Sequence, residues 1–273
     1  MDNITDGEGI DPVNVEKRLC PSCSGQSATE ESQYSLDDWK IVRCSDCEFV
    51  YLANPVEYED LIVDHAFEKN AIKEHARRTR NRPISHWISK RTRWRLRLSK
   101  RDKGEQLLNF FPSGRVLDVG CGYGHALPEP LIPFGVEISK DMAKSADETL
   151  RQRGGYCIHA AAVEGTAEFD DGFFDGVLMR SFLEHETNPL QLLQQVHRVL
   201  SPTGVAYVRV PNFGSVNRKV IGRNWCGFRY PDHVNYFTPQ SLRTMVEKAG
   251  LQMRILNKFN LAFDDNIKVV LTK

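Results

Sequence analysis

Short apolar runs that break off at glycine or at an acid recur along the last two thirds of the chain. Val116, Leu117 and Val119 form one, cut off at Gly120-x-Gly122-x-Gly124. A run too short for a helix that stops at glycines predicts a buried strand entering a turn whose backbone passes close to a ligand. Phe134 to Ile138 is a second such run, with Glu137 at its carboxyl end. Further strands are expected near Tyr156 to Ala160, Phe174 to Met179, Val205 to Val210, Gln252 to Phe259 and Ile267 to Leu271. Helical spacing fills the gaps. Ser139 reads as an N-cap ahead of Met142, Ala146 and Leu150, Asn188-Pro189 opens Leu190, Leu193, Val196 and Leu200, and Thr238-Pro239 opens Leu242, Met245, Val246 and Ala249. Strands alternating with helices predict an α/β fold: a Rossmann-like, mostly parallel sheet with helices on both faces.

In an open parallel sheet, ligands sit beyond the carboxyl ends of the strands, so the glycine turn and Glu137 should face one crevice. A carboxylate there can accept both hydroxyls of a ribose, which points to an adenosine-containing cofactor. Two residues narrow the choice. His125 stands where a dinucleotide-binding turn wants a small residue. Asp118, beside the turn, would repel a pyrophosphate and attract a cation, so a sulfonium fits better.

The run Val116-Leu117-Asp118-Val119-Gly120-Cys121-Gly122-Tyr123-Gly124 resembles the cofactor loop of class I S-adenosylmethionine-dependent methyltransferases. The resemblance implies a seven-stranded sheet with an antiparallel edge. It implies that Asp118, Gly120, Cys121, Gly122 and Gly124 cradle the cofactor, with Glu137 and the neighbouring Ile138 at its ribose. It also places Glu164 near the adenine amino group and Arg180 at the crevice edge, both among the cofactor-binding residues. The Phe174-Asp175 entry to a strand and the Leu183-Glu184-His185 motif after it are similar to the family as well. The chain departs from the pattern at Pro128, Pro130 and Pro133, which fall where the first core helix should run; that helix must be short or broken. Neither an Asn-Pro-Pro-Tyr nor a Pro-Cys motif follows the fourth strand, which disfavours the familiar routes to base methylation.

The N-terminal part has a different character. Cys20-Pro21-Ser22-Cys23 and Cys44-Ser45-Asp46-Cys47 have the spacing of a four-thiolate zinc site, with Trp39 to Arg43 and Phe49 to Leu52 as ribbon strands. Four thiolates leave no open position, so a Zn2+ bound by Cys20, Cys23, Cys44 and Cys47 would be structural. The chain carries no formal net charge, but residues 1–72 hold 16 acids against 5 bases and residues 73–103 hold 13 bases against 2 acids. The expected organisation is a mobile tail over 1–19, the zinc ribbon over 20–55 and a basic helical cap over 56–104. A methyltransferase domain over 105–273 follows, with a substrate-side insertion at 211–237. The basic stretch reads as a solvated cap or as a lip recruiting an anionic substrate. No apolar run approaches the ~18 residues of a membrane span, and a cytoplasmic protein is expected.

Methyl transfer needs the acceptor held in line and water excluded, and a hydroxyl or acidic carbon acceptor also needs a base. Of the eight histidines, His185 and His233 fall in segments that should border the acceptor. Tyr230-x-x-His233 resembles an arrangement in zinc-bearing sugar C-methyltransferases, over the ribbon and core only. The expected catalytic residues are therefore His233, Tyr230 and His185. The reading is methyl transfer from S-adenosylmethionine to carbon or oxygen of a small molecule such as a sugar or biosynthetic intermediate. The alternatives are an RNA methyltransferase using ribbon and basic segment, or a non-catalytic relative that uses them to bind a partner.

Overall fold

The structure is a computed structural model that describes residues 18–56 and 105–273. The acidic stretch 1–17 and the basic stretch 57–104 lie outside the described residues, and with them nearly all of the helical cap read from the sequence.

Among the described residues there are two sheets, and the larger has seven strands: β4 (Arg115–Val119), β5 (Ile132–Glu137), β6 (Cys157–His159), β7 (Phe174–Arg180), β8 (Leu200–Pro211), β10 (Gln252–Ile255) and β11 (Asn266–Thr272). Their order is β10-β11-β8-β7-β4-β5-β6. The five strands from β8 to β6 run parallel, and β11 and β10 close the edge antiparallel. The fold is thus the Rossmann-like one expected. Chain order reverses between β4 and β7, so the crevice opens at the carboxyl ends of those strands, beside that of β5. Leu117, Val119, Val177, Met179, Ala206, Val208 and Val210 fill the core on one face. The other face carries Val116 and Leu178, covered by Leu107 of α1 (Glu105–Leu108) and Phe111.

The helices follow their apolar periods with local shifts. In α2 (Lys140–Arg151), Ala143, Ala146 and Leu150 are the buried residues, one position on from the expected Met142. In α4 (Pro189–Val199) the chain turns straight into β8, so Leu200 is the first residue of a strand that starts earlier than the predicted Val205. Leu200 pairs with Phe174, and the register shifts before Val205 takes up Gly176. Thr238 caps the helix Pro239–Lys248 through a reciprocal pair with Ser241. Between β4 and β5 the described chain has no helix; residues 120–131 cross as a loop, the outcome Pro128 and Pro130 require, while Pro133 falls within β5 instead of in a helix.

The smaller sheet has four strands, β1 (Ala28–Glu30), β2 (Ile41–Cys44), β3 (Val50–Leu52) and β9 (Asn235–Tyr236), in that order. Strand β9 belongs to the insertion, so the ribbon is not a free-standing module. It also holds a residue two positions before its first cysteine. Arg18, read as tail, gives its amide to the Ala53 carbonyl at 3.0 Å and its guanidinium to the Val234 carbonyl at 3.1 Å. It also donates to the Asn235 side chain at 3.2 Å and to the Thr187 carbonyl.

Candidate functional site

The two cysteine pairs form matching knuckles. In each, the amide four residues on returns to the first cysteine's carbonyl, Ser24 to Cys20 at 2.7 Å and Glu48 to Cys44 at 3.1 Å, and both donors adopt positive φ. The four sulfurs lie within 4.8 Å of one another, with Cys20–Cys47 and Cys23–Cys44 each at 3.5 Å. A tetrahedron with Zn–S bonds of about 2.3 Å needs edges of about 3.8 Å, so this donor set fits a closed zinc site.

The glycine loop is held against β5. Gly120 and Cys121 both give their amides to the Val136 carbonyl, and Gly122 gives its own to Glu137 Oε2 at 2.9 Å. Ser139 donates to Glu137 Oε1 at 3.0 Å. A carboxylate has about four lone-pair sites, so Glu137 keeps capacity for two hydroxyls. Gly120, Gly122 and Gly124 all have positive φ. A side chain at Gly120 would strike the Phe182 ring at 2.3 Å, whereas one at Gly122 would meet nothing within 4 Å. That open space lies beside the acid and is where a cofactor has room.

Other expected cofactor residues divide. Asp118 is buried at the end of β4, and burial pushes its carboxyl up to about 7, with Arg180 pulling down and Glu137 pushing up. Cys121 turns its side chain away from the crevice: its sulfur fills the space above Gly135 and lies 3.6 Å from Cys157 Sγ. Only its backbone belongs to the loop. Ile138 offers its carbonyl to the His159 ring at 2.9 Å. Glu164 sits exposed in the first turn of α3 (Ala162–Ala167).

Beyond β7 the chain takes a left-handed step at Ser181, φ +59°, and enters Leu183-Glu184-His185. The insertion clamps this motif. Val234 and Asn235 give their amides to the Glu184 carbonyl at 2.8 and 3.1 Å, and the Asn235 side chain donates to Leu183 and Glu186 carbonyls at 2.9 and 2.6 Å. The clamp brings His185 and His233 together, with ring centroids 4.7 Å apart and planes at 85°. Each Nδ1 lies 2.8 Å from a backbone carbonyl, Asp232 for His185 and Gly227 for His233. Burial lowers His185 to about 4, and pushes the adjacent Glu184 up to about 8 against the pull of Arg209 and Arg229. Glu184 Oε2 is buried without a hydrogen-bond partner. One potential ligand atom from each of Glu184, His185 and His233 lies within 4.8 Å of the other two.

Tyr230, expected among the catalytic residues, donates its hydroxyl to the Tyr34 carbonyl in the ribbon and so fastens the insertion there. Sequence reasoning also missed Asn235 and the arginines Arg209 and Arg229. An Asn or Arg in a polar-aromatic loop carries no periodic signal.

Among the described residues, no helix is long and apolar enough to cross a membrane. A family profile described as a methyltransferase domain matches residues 81–255. An uncharacterized protein of Methanocaldococcus jannaschii is 28% identical over 148 residues, 54% of this chain and 69% of its own. A ubiquinone biosynthesis O-methyltransferase of Burkholderia pseudomallei is 28% identical over 159 residues, 52% of this chain and 66% of its own. The chain thus spans about two thirds of the length of these relatives. A solved SAM-dependent methyltransferase from Archaeoglobus fulgidus aligns with a TM-score of 0.48 at 18% identity, covering 62% of this chain and 90% of that one.

Proposed function

The chain belongs to the methyltransferase domain family and is an S-adenosylmethionine-dependent methyltransferase; from that premise we propose that its acceptor is a small molecule, taken up between the insertion and the carboxyl ends of β7 and β8. Bound S-adenosylmethionine would supply a methyl group activated by its sulfonium. Glu137 would accept the ribose hydroxyls, and Asp118 would face the cationic end, a role its burial among few compensating charges suits. The amides of the glycine loop hold Glu137 in place, while Gly122 leaves the space open. Ile138, Glu164 and the backbone of the glycine loop complete the proposed cofactor side.

On the acceptor side, His233 is the proposed base, with His185 as its neighbour. An Nδ1–H donated to the Gly227 carbonyl would fix the tautomer and leave Nε2 as the proton acceptor. The single observation that carries the small-molecule reading is burial: His185, His233 and Glu184 are 8%, 4% and 1% exposed, under a clamped insertion. A site so enclosed would exclude water and suit an acceptor that enters whole. The four-cysteine cluster is proposed to hold a structural zinc that supports this insertion through β3 and β9.

The reading is tested by incubating the protein with methyl-labelled S-adenosylmethionine and either a small-metabolite extract or purified RNA. Label is expected in the small-molecule fraction. Label confined to RNA, with salt-sensitive binding, would replace this acceptor with the nucleic-acid alternative.

A further inference from the structure

Arg180 ends β7, and its register partner on β8 is Arg209. Paired residues on neighbouring strands share a face, so the two guanidiniums leave the sheet on the same side, at its carboxyl edge. The charges of both act on Tyr207, two residues back on that face. Arg229 enters from the insertion, and it and Arg209 both act on Glu184. The three arginines therefore ring the region the acceptor is proposed to occupy.

Their hydrogen bonds are few. A guanidinium carries five N–H donors in a planar fork. Arg209 spends one on Ser181 Oγ through Nη2, and its Nε is buried without an acceptor. Arg229 reaches Asp232 only at 3.8 Å, and its Nε is likewise buried and unpaired. Arg180 has no hydrogen bond or ion pair among the described residues, its carboxylate neighbour Asp118 acting on it only at a distance. Buried donors without acceptors are rare in folded proteins because leaving water without a replacement partner is costly. Two of them beside one acid, Glu184, on side chains built to bind oxyanions bidentately, call for a ligand that supplies the acceptors.

We propose that Arg209 and Arg229, with Arg180 beside them, form a subsite for an anionic group, phosphate or carboxylate, carried by the acceptor. The proposal rests on the acceptor reading above and names its chemical class. The acids nearby do not fill the role. Asp232 meets Arg229 at the far limit of an ion pair, while Asp118 and Glu184 are buried and pushed toward their neutral forms. A divalent cation on Glu184, His185 and His233 is the competing occupant. Two guanidiniums whose charge falls on Glu184 oppose it.

The test is calorimetry on the full chain saturated with S-adenosylhomocysteine, titrated at constant ionic strength with inorganic phosphate, with pyrophosphate and with acetate. Wild type is expected to bind at least one of the three, the phosphate and acetate arms telling the two sources apart. Arg209→Gln and Arg229→Gln should each weaken that binding by about tenfold or more while S-adenosylhomocysteine affinity stays unchanged. Because Arg209 also holds Ser181, Arg229→Gln is the variant that keeps the test free of folding effects. Equal anion affinity in the variants, or no anion binding by a wild type that does bind S-adenosylhomocysteine, overturns the subsite alone. Failure of wild type to bind S-adenosylhomocysteine overturns the cofactor reading instead, and the subsite with it.

Discussion

The rings of His185 and His233 meet edge to face at 4.7 Å, although the two residues are 48 positions apart. What joins them is Asn235, whose side chain and amide take up three carbonyls of the segment 183–186. If His233 removes the acceptor's proton, His233→Ala should lower kcat by about 10²- to 10⁴-fold, the usual contribution of a positioned base. S-adenosylmethionine affinity should not change, because the residue lies on the acceptor side. Steady-state kinetics paired with calorimetry checks both; unimpaired turnover removes His233 from the mechanism.

Tyr230 should behave differently. Its hydroxyl serves the Tyr34 carbonyl, so Tyr230→Phe is expected to cost about 1 kcal/mol of stability, one hydrogen bond. Turnover should stay within about threefold, since no transition-state interaction is removed. Urea denaturation and kinetics on the same preparation measure the two effects. A large loss of kcat at unchanged stability would return Tyr230 to the catalytic set.

Asp118 makes stability depend on pH in a stated direction. Its folded carboxyl lies at about 7, above the unfolded value of 3.8, so the folded chain holds a proton the unfolded chain has lost. The contribution is complete below about pH 4 and is lost as pH rises through about 7. Asp118→Asn has no such loss. Without cofactor, the variant should gain on wild type between pH 4 and 8, by at most about 4 kcal/mol for a three-unit shift. Urea midpoints across that range test it, and a constant difference would show that Asp118 is not buried in this way.

The cysteine cluster ties metal to insertion. One zinc per chain is expected by elemental analysis. Since β3 pairs with β9 through Val50–Tyr236 and Tyr51–Asn235, losing the metal should loosen the insertion as well as the ribbon. Chelation, or Cys44→Ser, should therefore raise proteolysis within residues 211–237 and lower turnover, with cofactor affinity retained. Full activity after complete zinc removal would separate ribbon from site.

The parallel sheet was legible because its strands are apolar runs ended by glycine or acid, and the missing first helix was legible from Pro128 and Pro130. The turn at Gly120 and the acid at Glu137 could be read for the same reason: backbone conformation and strand-end position are local properties. Strand β9 could not be read, since two residues pairing with a ribbon about 185 positions earlier leave no periodic trace. Arg18 looked like tail because its partners, the Val234 carbonyl, the Asn235 side chain and the Thr187 carbonyl, are all remote in sequence. Cys121 appeared to line the cofactor only because its neighbours do; the absence of a side chain at Gly135, which lets its sulfur turn inward, is visible only in three dimensions.

The central claim is that Glu137, fixed by the Gly122 and Ser139 amides, grips the ribose of S-adenosylmethionine. Calorimetric titration of S-adenosylmethionine into wild type and Glu137→Ala tests it most directly. The account predicts one site per chain in wild type and an affinity about 10- to 100-fold weaker in the variant, the worth of a pair of hydrogen bonds to a charged group. Binding of equal strength by both proteins, or none by wild type at about millimolar cofactor, the weakest end of the affinity scale, would contradict it.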